Sequence, residues 1–156
     1  MDIQTVSSEP VPAEDDLRNW ITAALAGRTA QEQPEVCVRL VDTDEMATLN
    51  ATYRGKAGPT NVLSFPASLP PELGIPLLGD IVICAPVVRA EAAQQGKSPD
   101  AHWAHMTVHG TLHLLGYDHL HEEEAAIMEA LESAILNELN FTCPYAAIAH
   151  HEHASR

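Results

Sequence analysis

Basic residues are scarce in this sequence. Lysine and arginine together number 8 against 22 aspartates and glutamates, which gives the 156-residue chain a formal net charge of −14. A field of that sign repels polyanions, so the chain is not expected to coat nucleic acid through its general charge. Local contact with RNA and docking on a basic partner are both compatible with this charge.

Long apolar runs are also missing. The longest unbroken run covers residues 81–88 and includes Pro86, whereas a membrane helix needs roughly 20 apolar residues. The N-terminus has neither the basic start nor the apolar core of a secretory signal. We therefore expect no membrane association.

Cysteine is rare and forms no recognisable pairing pattern. Cys37, Cys84 and Cys143 are too far apart in sequence for a CxxC motif, and their number is odd. Such usage is typical of a reducing compartment. We expect a cytoplasmic protein in which these thiols are small buried side chains.

The length and the apolar periodicity predict a single layered domain of the α/β type. The sequence predicts four strands, at residues 3–6, 36–40, 61–65 and 79–84. Apolar residues alternate in 36–40, prolines bound 61–65, and 79–84 is a near-continuous apolar run that indicates burial on both faces. The helical spacing of apolar residues and the capping signals predict five helices, which begin near residues 13, 43, 86, 99 and 122.

In two of these helices the spacing places apolar residues on one face. The second helix carries Met46, Leu49 and Tyr53 on one side. For the last helix, the spacing predicts core positions at Ala126, Met128, Leu131, Ile135 and Leu139.

Histidines cluster in one segment, since six of the nine fall between residues 102 and 121. His109 and His113 are four residues apart on a predicted helix, so both imidazoles can reach one metal ion. Gly116 can end the helix and turn the chain back, which returns His119 as a third ligand. Three nitrogen ligands and an open fourth position predict a catalytic zinc site. Another divalent transition metal, such as nickel or iron, also suits imidazole ligands.

The same spacing occurs in the metzincin peptidases, whose motif is HExxHxxGxxH. In this chain Gly110 stands where that motif has its glutamate, the general base of peptide hydrolysis. Neither Asp118 nor Glu122 is placed on the helix to replace it. A metallopeptidase is therefore the weakest of the activities that the motif allows.

Charge is distributed unevenly along the chain. Residues 98–155 contain nine acids and no lysine or arginine, whereas the only charged residues in the segment 46–71 are Arg54 and Lys56. An arginine near a metal can bind two phosphate oxygens and stabilise charge that develops on phosphorus. The helix dipole alone would also favour an arginine at a helix C-terminus, so spacing leaves both explanations open.

Three motifs, taken in order, resemble one known family. They are YRGK at residues 53–56 followed by PTNVLSFP at residues 59–66, then GDI at residues 79–81, and HGTLHLLGYDH at residues 109–119. In this order they closely resemble the YbeY family of bacterial rRNA maturation factors, which are zinc-dependent endoribonucleases specific for single strands. The resemblance extends over residues 3–145.

The resemblance implies an α+β fold with a mixed four-stranded sheet, about five flanking helices and a metallopeptidase (zincin)-like core. It implies one such domain over residues 1–145, followed by a flexible histidine-containing tail at residues 146–156. Many family members carry an aspartate where this chain has Ala57.

The resemblance also implies a set of site residues. His109, His113 and His119 match the family's zinc ligands, with one ion per chain. Arg54 matches its functional arginine and would act in catalysis together with His109, while Arg54 and Lys56 would bind the substrate.

The implied activity is cleavage of single-stranded RNA, in particular 3′-end maturation of precursor small-subunit rRNA, and a role in ribosome quality control. The implied partners are a small-subunit ribosomal protein and an Era-type GTPase, and no DNA is expected as substrate. The attacking group would be water or the RNA's own 2′-hydroxyl, and the sequence does not separate them. A different class remains open: a non-catalytic ribosome assembly factor with a structural metal, which the net charge of −14 would suit.

Overall fold

The computed structural model of the chain describes residues 1–29, 33–67, 77–118 and 121–141. In chain order its elements are β1 (Asp2–Thr5), α1 (Glu14–Leu25), β2 (Glu35–Val41), α2 (Thr43–Arg54), β3 (Val62–Pro66), β4 (Leu77–Cys84), α3 (Ala85–Gln95), α4 (Pro99–Leu114) and α5 (Glu122–Glu138). Within the described ranges these are the four strands and five helices that the sequence pattern predicts. The predicted tail at residues 146–156 and Cys143 lie outside those ranges.

The strands form one mixed sheet in the order β1-β2-β4-β3. Strands β1, β2 and β4 are parallel, and β3 pairs antiparallel with β4 at one edge. The end of β4 is a continuous buried apolar run from Ile81 to Cys84, as expected for a strand that is covered on both faces. The predicted α+β fold with a mixed four-stranded sheet is confirmed.

Helix α4 occupies the centre of the molecule and packs against α1, α3, α5, β3 and β4. It begins as predicted, with Pro99 in its first turn and with Ser98 Oγ accepting a hydrogen bond from the backbone N–H of Ala101 at 3.2 Å. After the helix, Gly116 has a φ of 100°, a conformation in which a Cβ atom would cause strain. Because α4 is enclosed by so many elements, its side chains are held in fixed directions.

The predicted face of α2 that carries Met46, Leu49 and Tyr53 is buried only in part. Met46 is fully buried, but 63% of Tyr53 is exposed. Asn50 takes the other buried position of α2 and donates a hydrogen bond from Nδ2 to the Gly58 carbonyl at 2.8 Å. Tyr53 lies at the last turn of the helix, where the face of α2 borders a cleft rather than the sheet.

The buried face of α5 differs in part from the predicted one. Met128 and Ile135 are buried as expected, and Leu131 and Leu139 pack partly buried against the core, but Ala126 is exposed. The buried stripe of this helix consists of Ala125, Met128, Glu132, Ile135 and Leu136. A glutamate can occupy this stripe because histidines of α4 satisfy its carboxylate.

The expectation of small buried thiols holds for Cys84 and only in part for Cys37. Cys84 is buried and Cys37 is partly buried, and both are free thiols. None of the helices in the described part of the chain combines the length and the apolarity needed to cross a membrane.

Candidate functional site

A cleft with a volume of about 1150 Å³ lies along α4. One wall is formed by the last turn of α2 and by β3, and the other by α3 and α5. The titratable and aromatic side chains that line it include Tyr53, Arg54, Phe65, Glu91, His102, His105, His109, His113 and Glu132. The cleft therefore collects four histidines from a single helix.

His109 and His113 face each other in this cleft. Their Nε2 atoms are 3.1 Å apart, and their ring centroids are separated by 4.6 Å. The four-residue spacing places both rings on one side of α4, and both side chains remain partly accessible. Two imidazole nitrogens thus converge at one point of the cleft.

Glu132 of α5 lies behind this pair and is fully buried. His105 Nε2 donates to Glu132 Oε1 at 2.9 Å, and His109 Nδ1 donates to Oε2 at 2.6 Å. Burial alone would raise the pKa of Glu132, but the hydrogen bonds from His105 and His109 outweigh burial and hold this pKa well below its usual range. An ionised carboxylate can only accept, so the proton of neutral His109 resides on Nδ1 and its Nε2 carries a lone pair.

A second carboxylate supports the other end of the histidine row. Glu91 of α3 accepts hydrogen bonds from His102 Nε2 at 2.8 Å and from Asn61 Nδ2 at 3.1 and 3.2 Å. Burial raises the pKa of Glu91, but the bonds from His102 and Asn61 outweigh burial and lower that pKa below its ordinary value. Asn61 Oδ1 also accepts from the Val62 backbone N–H at 2.7 Å. This network connects the start of β3 to α3 and α4.

Gly110 allows α4 to approach the sheet closely. A Cβ atom at this position would be 3.0 Å from Ile81 Cγ2 and 3.2 Å from both Ser64 Oγ and Val62 Cγ2. Ser64 Oγ donates to the Gly110 carbonyl at 2.9 Å, so β3 is attached to the helix at this point. Position 110 faces the strands, and a glutamate there would have to displace them.

Of the two predicted substrate-binding cations, only one lines the cleft. Arg54 is the last residue of α2 and borders the cleft, whereas Lys56 is exposed outside its described lining. Gly55 ends the helix with a φ of 65°; its N–H donates to the Ala51 carbonyl at 3.2 Å, and the Lys56 N–H donates to the Asn50 carbonyl at 3.3 Å. The chain turns away directly after Arg54, which leaves the guanidinium at the cleft edge.

The third predicted ligand, His119, lies outside the described residues. Gly116, Tyr117 and Asp118, which lead up to it, all line the cleft, as does His121 beyond it. Within the described ranges, no three histidine, cysteine or acidic side chains are grouped closely enough to hold a metal ion. Of the three predicted ligands, His109 and His113 are described and form the facing pair.

Glu132 and Glu91 are site residues that the sequence reasoning missed. For Glu132 a signal was present, because it follows Met128 by four residues and precedes Leu136 by four, within the apolar stripe of α5. An acid at such a position must have a partner. Nothing comparable marks Glu91, whose partners Asn61 and His102 are 30 and 11 residues away in sequence.

The fold and the histidine-lined cleft together define an α+β protein with a candidate metal-binding cleft. The solution structure of TM1509 from Thermotoga maritima has the same fold, with a TM-score of 0.57 and 24% identity over 88% of this chain and 91% of that one. The family model described as Endoribonuclease YbeY matches residues 2–140.

Two relatives carry the same name. Endoribonuclease YbeY of Cellvibrio japonicus is 55% identical over 139 residues, which cover 89% of this chain and 78% of the relative. Endoribonuclease YbeY of Pseudomonas syringae pv. tomato is 56% identical over 147 residues, which cover 94% of this chain and 87% of the relative. The chain belongs to the YbeY family of endoribonucleases, and the resemblance seen in its motifs is confirmed.

Proposed function

We propose that this chain is a metal-dependent endoribonuclease that cleaves single-stranded RNA. The observation that carries the proposal is the facing pair His109 and His113, with Nε2 atoms 3.1 Å apart and with Glu132 holding the Nδ1 proton of His109. The names of the relatives, both endoribonucleases, support RNA as the substrate. The substrate proposed for the cell is precursor small-subunit rRNA, cleaved during 3′-end maturation and ribosome quality control.

The donor set fits a zinc ion. Two nitrogens bound to one tetrahedral zinc are separated by about 3.3 Å, since each Zn–N bond is about 2.0–2.1 Å, and the Nε2 atoms of His109 and His113 are 3.1 Å apart. A carboxylate that accepts from the opposite ring nitrogen is the usual support of a ligating histidine. His109, His113 and His119 would hold one ion per chain, and another divalent transition metal would suit the same ligands.

The proposed reaction assigns a role to each of the chain's own groups. A bound zinc ion supplies Lewis acidity, which polarises a phosphoryl oxygen. Arg54, at the cleft edge, donates hydrogen bonds to the scissile phosphate and stabilises the negative charge that develops there. Lys56, outside the cleft, binds the RNA backbone. Glu132 keeps the proton of His109 on Nδ1 throughout, so that Nε2 remains a ligand atom.

The nucleophile is either water or the 2′-hydroxyl of the RNA. Attack by the 2′-hydroxyl would restrict the enzyme to RNA, since DNA lacks this group, and would leave a 2′,3′-cyclic phosphate. Hydrolysis by water would leave no cyclic product. The ends of the cleaved RNA therefore identify the nucleophile.

The charge of the chain indicates how the substrate arrives. With a net charge of −14, free RNA should bind weakly and with a small dependence on salt. We propose that partners deliver the precursor rRNA in the cytoplasm, a small-subunit ribosomal protein and an Era-type GTPase among them. The same charge favours a second candidate function, a non-catalytic assembly factor that docks on basic ribosomal proteins.

Cleavage of a labelled 3′ segment of precursor small-subunit rRNA by the zinc-loaded protein tests the proposal. We expect cuts in single-stranded regions that disappear with chelator and fall at least about 100-fold in Arg54→Ala. Arg89→Ala is the matched control, because Arg89 is exposed on α3 and pairs with Glu9 at 3.1 Å, away from the cleft lining. If protein that binds one zinc ion cuts neither free RNA nor ribosomal subunits, the assembly factor is the better explanation.

A further inference from the structure

Tyr53 is an exposed aromatic side chain at the edge of the cleft. It is 63% exposed, and the other large apolar side chains exposed in the described part of the chain, Val6 and Ile127, are aliphatic. The chain has only two tryptophans, three tyrosines and two phenylalanines, yet Tyr53, Phe65 and Tyr117 all line this cleft. Aromatic rings are thus concentrated where the proposed substrate would bind.

The ring of Tyr53 is held in place without being covered. Phe65 of β3 contacts it edge to face, with the ring centroids 5.1 Å apart and the planes at 68°. Phe65 is itself anchored, because β3 pairs with β4 and places Phe65 opposite Asp80. A ring whose orientation is set before binding loses little conformational entropy when a ligand stacks on it.

The neighbours of Tyr53 match a nucleotide. Arg54 follows Tyr53 and is the last residue of α2. Both belong to the segment 46–71, which contains no aspartate or glutamate. A π-face next to a cation can receive a base together with its phosphate, the combination by which proteins bind single-stranded nucleic acid. Within a duplex both faces of each base are covered by its neighbours, so only an unstacked base can use such a ring.

We propose that Tyr53 is a stacking platform for one base of single-stranded RNA, next to the nucleotide whose phosphate contacts Arg54. This inference rests on the proposed function and specifies how the same cleft selects single strands. It places Tyr53 in substrate binding rather than in the chemical step.

The test combines changes in the protein with changes in the RNA. Initial cleavage rates give kcat and KM of the zinc-loaded protein for a short single-stranded RNA and for versions in which one position at a time is abasic. We expect one abasic position to raise KM about 5- to 150-fold, the range for loss of one stacked base, with little change in kcat. Tyr53→Ala should raise KM for the intact RNA by the same factor and should be insensitive to that abasic position.

Two matched variants isolate the ring. Tyr53→Phe keeps the π-face and should retain the KM of the unaltered protein. Ile127→Ala removes an apolar side chain that is 56% exposed on α5, outside the described cleft lining, and should also leave KM unchanged. Because Tyr53 is 63% exposed and Tyr53→Ala loses mainly its edge-to-face contact with Phe65, Tm should fall by no more than about 6 °C and the variant should stay folded.

The possible failures are distinguishable. If the unaltered protein cleaves RNA but Tyr53→Ala has the same KM and the same response to abasic positions, the stacking platform is wrong and the proposed function stands. If Tyr53→Ala raises KM equally for intact and all abasic RNAs, the ring contacts the sugar–phosphate backbone rather than a base, and the stacking platform is wrong. If the unaltered protein cleaves neither single-stranded RNA nor ribosomal subunits, both the inference and the proposed function fail.

Discussion

Glu132 Oε2 accepts a hydrogen bond from His109 Nδ1 at 2.6 Å, between two helices and across 23 residues of sequence. Its second oxygen, Oε1, accepts from His105 Nε2 at 2.9 Å. Burial lowers the pKa of His105, and Glu132 offsets this only in part, so a neutral imidazole donates to an ionised carboxylate. One buried acid thereby fixes the orientation and the tautomer of His109.

The substitution Glu132→Gln is expected to weaken zinc binding about 10- to 100-fold, the usual cost of losing the partner behind a ligating histidine. The amide has one acceptor oxygen for two N–H donors, and its own N–H₂ group would face one of them. Competition with a chromophoric chelator measures the affinity, and the ¹⁵N shifts of the His109 ring report its tautomer.

The control for this substitution is Glu123→Gln, which removes the same charge from an exposed position of α5. Glu132→Asp keeps the charge and should lose less affinity than the amide. An unchanged zinc affinity and unchanged ring shifts in folded Glu132→Gln would show that the carboxylate does not position His109.

Removal of the metal is expected to lower the stability of the protein. Zinc at 100 times its dissociation constant adds about 2.7 kcal/mol if it binds only the folded state, and each kcal/mol changes Tm by about 2–4 °C in a chain of this size. Thermal unfolding with zinc, with chelator and with magnesium measures the effect. Magnesium should not change Tm, since it prefers oxygen ligands.

The same measurement on His113→Ala tests the assignment of the ligand pair. This variant should lose the zinc-dependent part of Tm and should unfold at the same temperature with zinc and with chelator. A full zinc-dependent rise in Tm in His113→Ala would mean that the metal binds elsewhere on the chain.

The substitution Gly110→Glu is expected to destabilise the protein rather than to create a peptidase. A Cβ atom at this position lies 3.0 Å from Ile81 Cγ2, and a carboxylate beyond it would be forced between α4 and β3. Overpacking and burial of an unpaired charge should together cost at least about 3 kcal/mol. Urea unfolding measures the loss, and casein hydrolysis measures peptidase activity.

An added glutamate at an exposed helical position is the control for Gly110→Glu. Ala130→Glu on α5 introduces the same side chain where it remains in water, so stability should change little. A stable Gly110→Glu protein with chelator-sensitive casein hydrolysis would contradict the packing argument and revive the metallopeptidase hypothesis.

Glu91 is expected to make stability depend on pH on the acid side. The bonds from His102 and Asn61 lower its folded pKa below the ordinary value of 4.5 despite burial, and the nearby His105 acts in the same direction. A lowered carboxyl pKa adds stability that is complete above the unfolded value and is lost as the pH falls through the folded one. The unaltered protein should therefore lose stability progressively below about pH 4.5.

In Glu91→Gln this part of the pH dependence should disappear. The variant should be about 1–3 kcal/mol less stable at neutral pH, because the bonds to a charged acceptor are lost, and its stability should change less on acidification. Urea unfolding from neutral pH to about pH 3 measures both effects. Glu138→Gln, at an exposed position of α5, is the control and should show the same pH dependence of stability as the unaltered protein. If the stability of Glu91→Gln also falls with pH in parallel with that of the unaltered protein, Glu91 is not the source of this pH dependence.

Much of the fold was predictable because its signals are local. Ser98 and Pro99 mark the start of α4, and the continuous apolar run of β4 indicates a buried strand. The four-residue spacing of His109 and His113 predicts one shared face, since a helix repeats every 3.6 residues, and their Nε2 atoms do meet. The motifs also identify the family, because each combines several residues at fixed spacing.

The environment of each position depended on contacts between distant parts of the chain. Tyr53 follows Met46 at helical spacing and shares its face of α2. Tyr53 is nevertheless exposed, because its end of α2 borders the cleft rather than the sheet. Glutamate is a residue type that usually lies on the surface. The burial of Glu132 depends on histidines 23 and 27 residues earlier in the chain. Periodicity gives the direction of a side chain within its own element, whereas burial and protonation depend on which elements pack against it. The sequence by itself thus determined the elements, the histidine pair and the family, and the tertiary structure decided which charges and rings surround that pair.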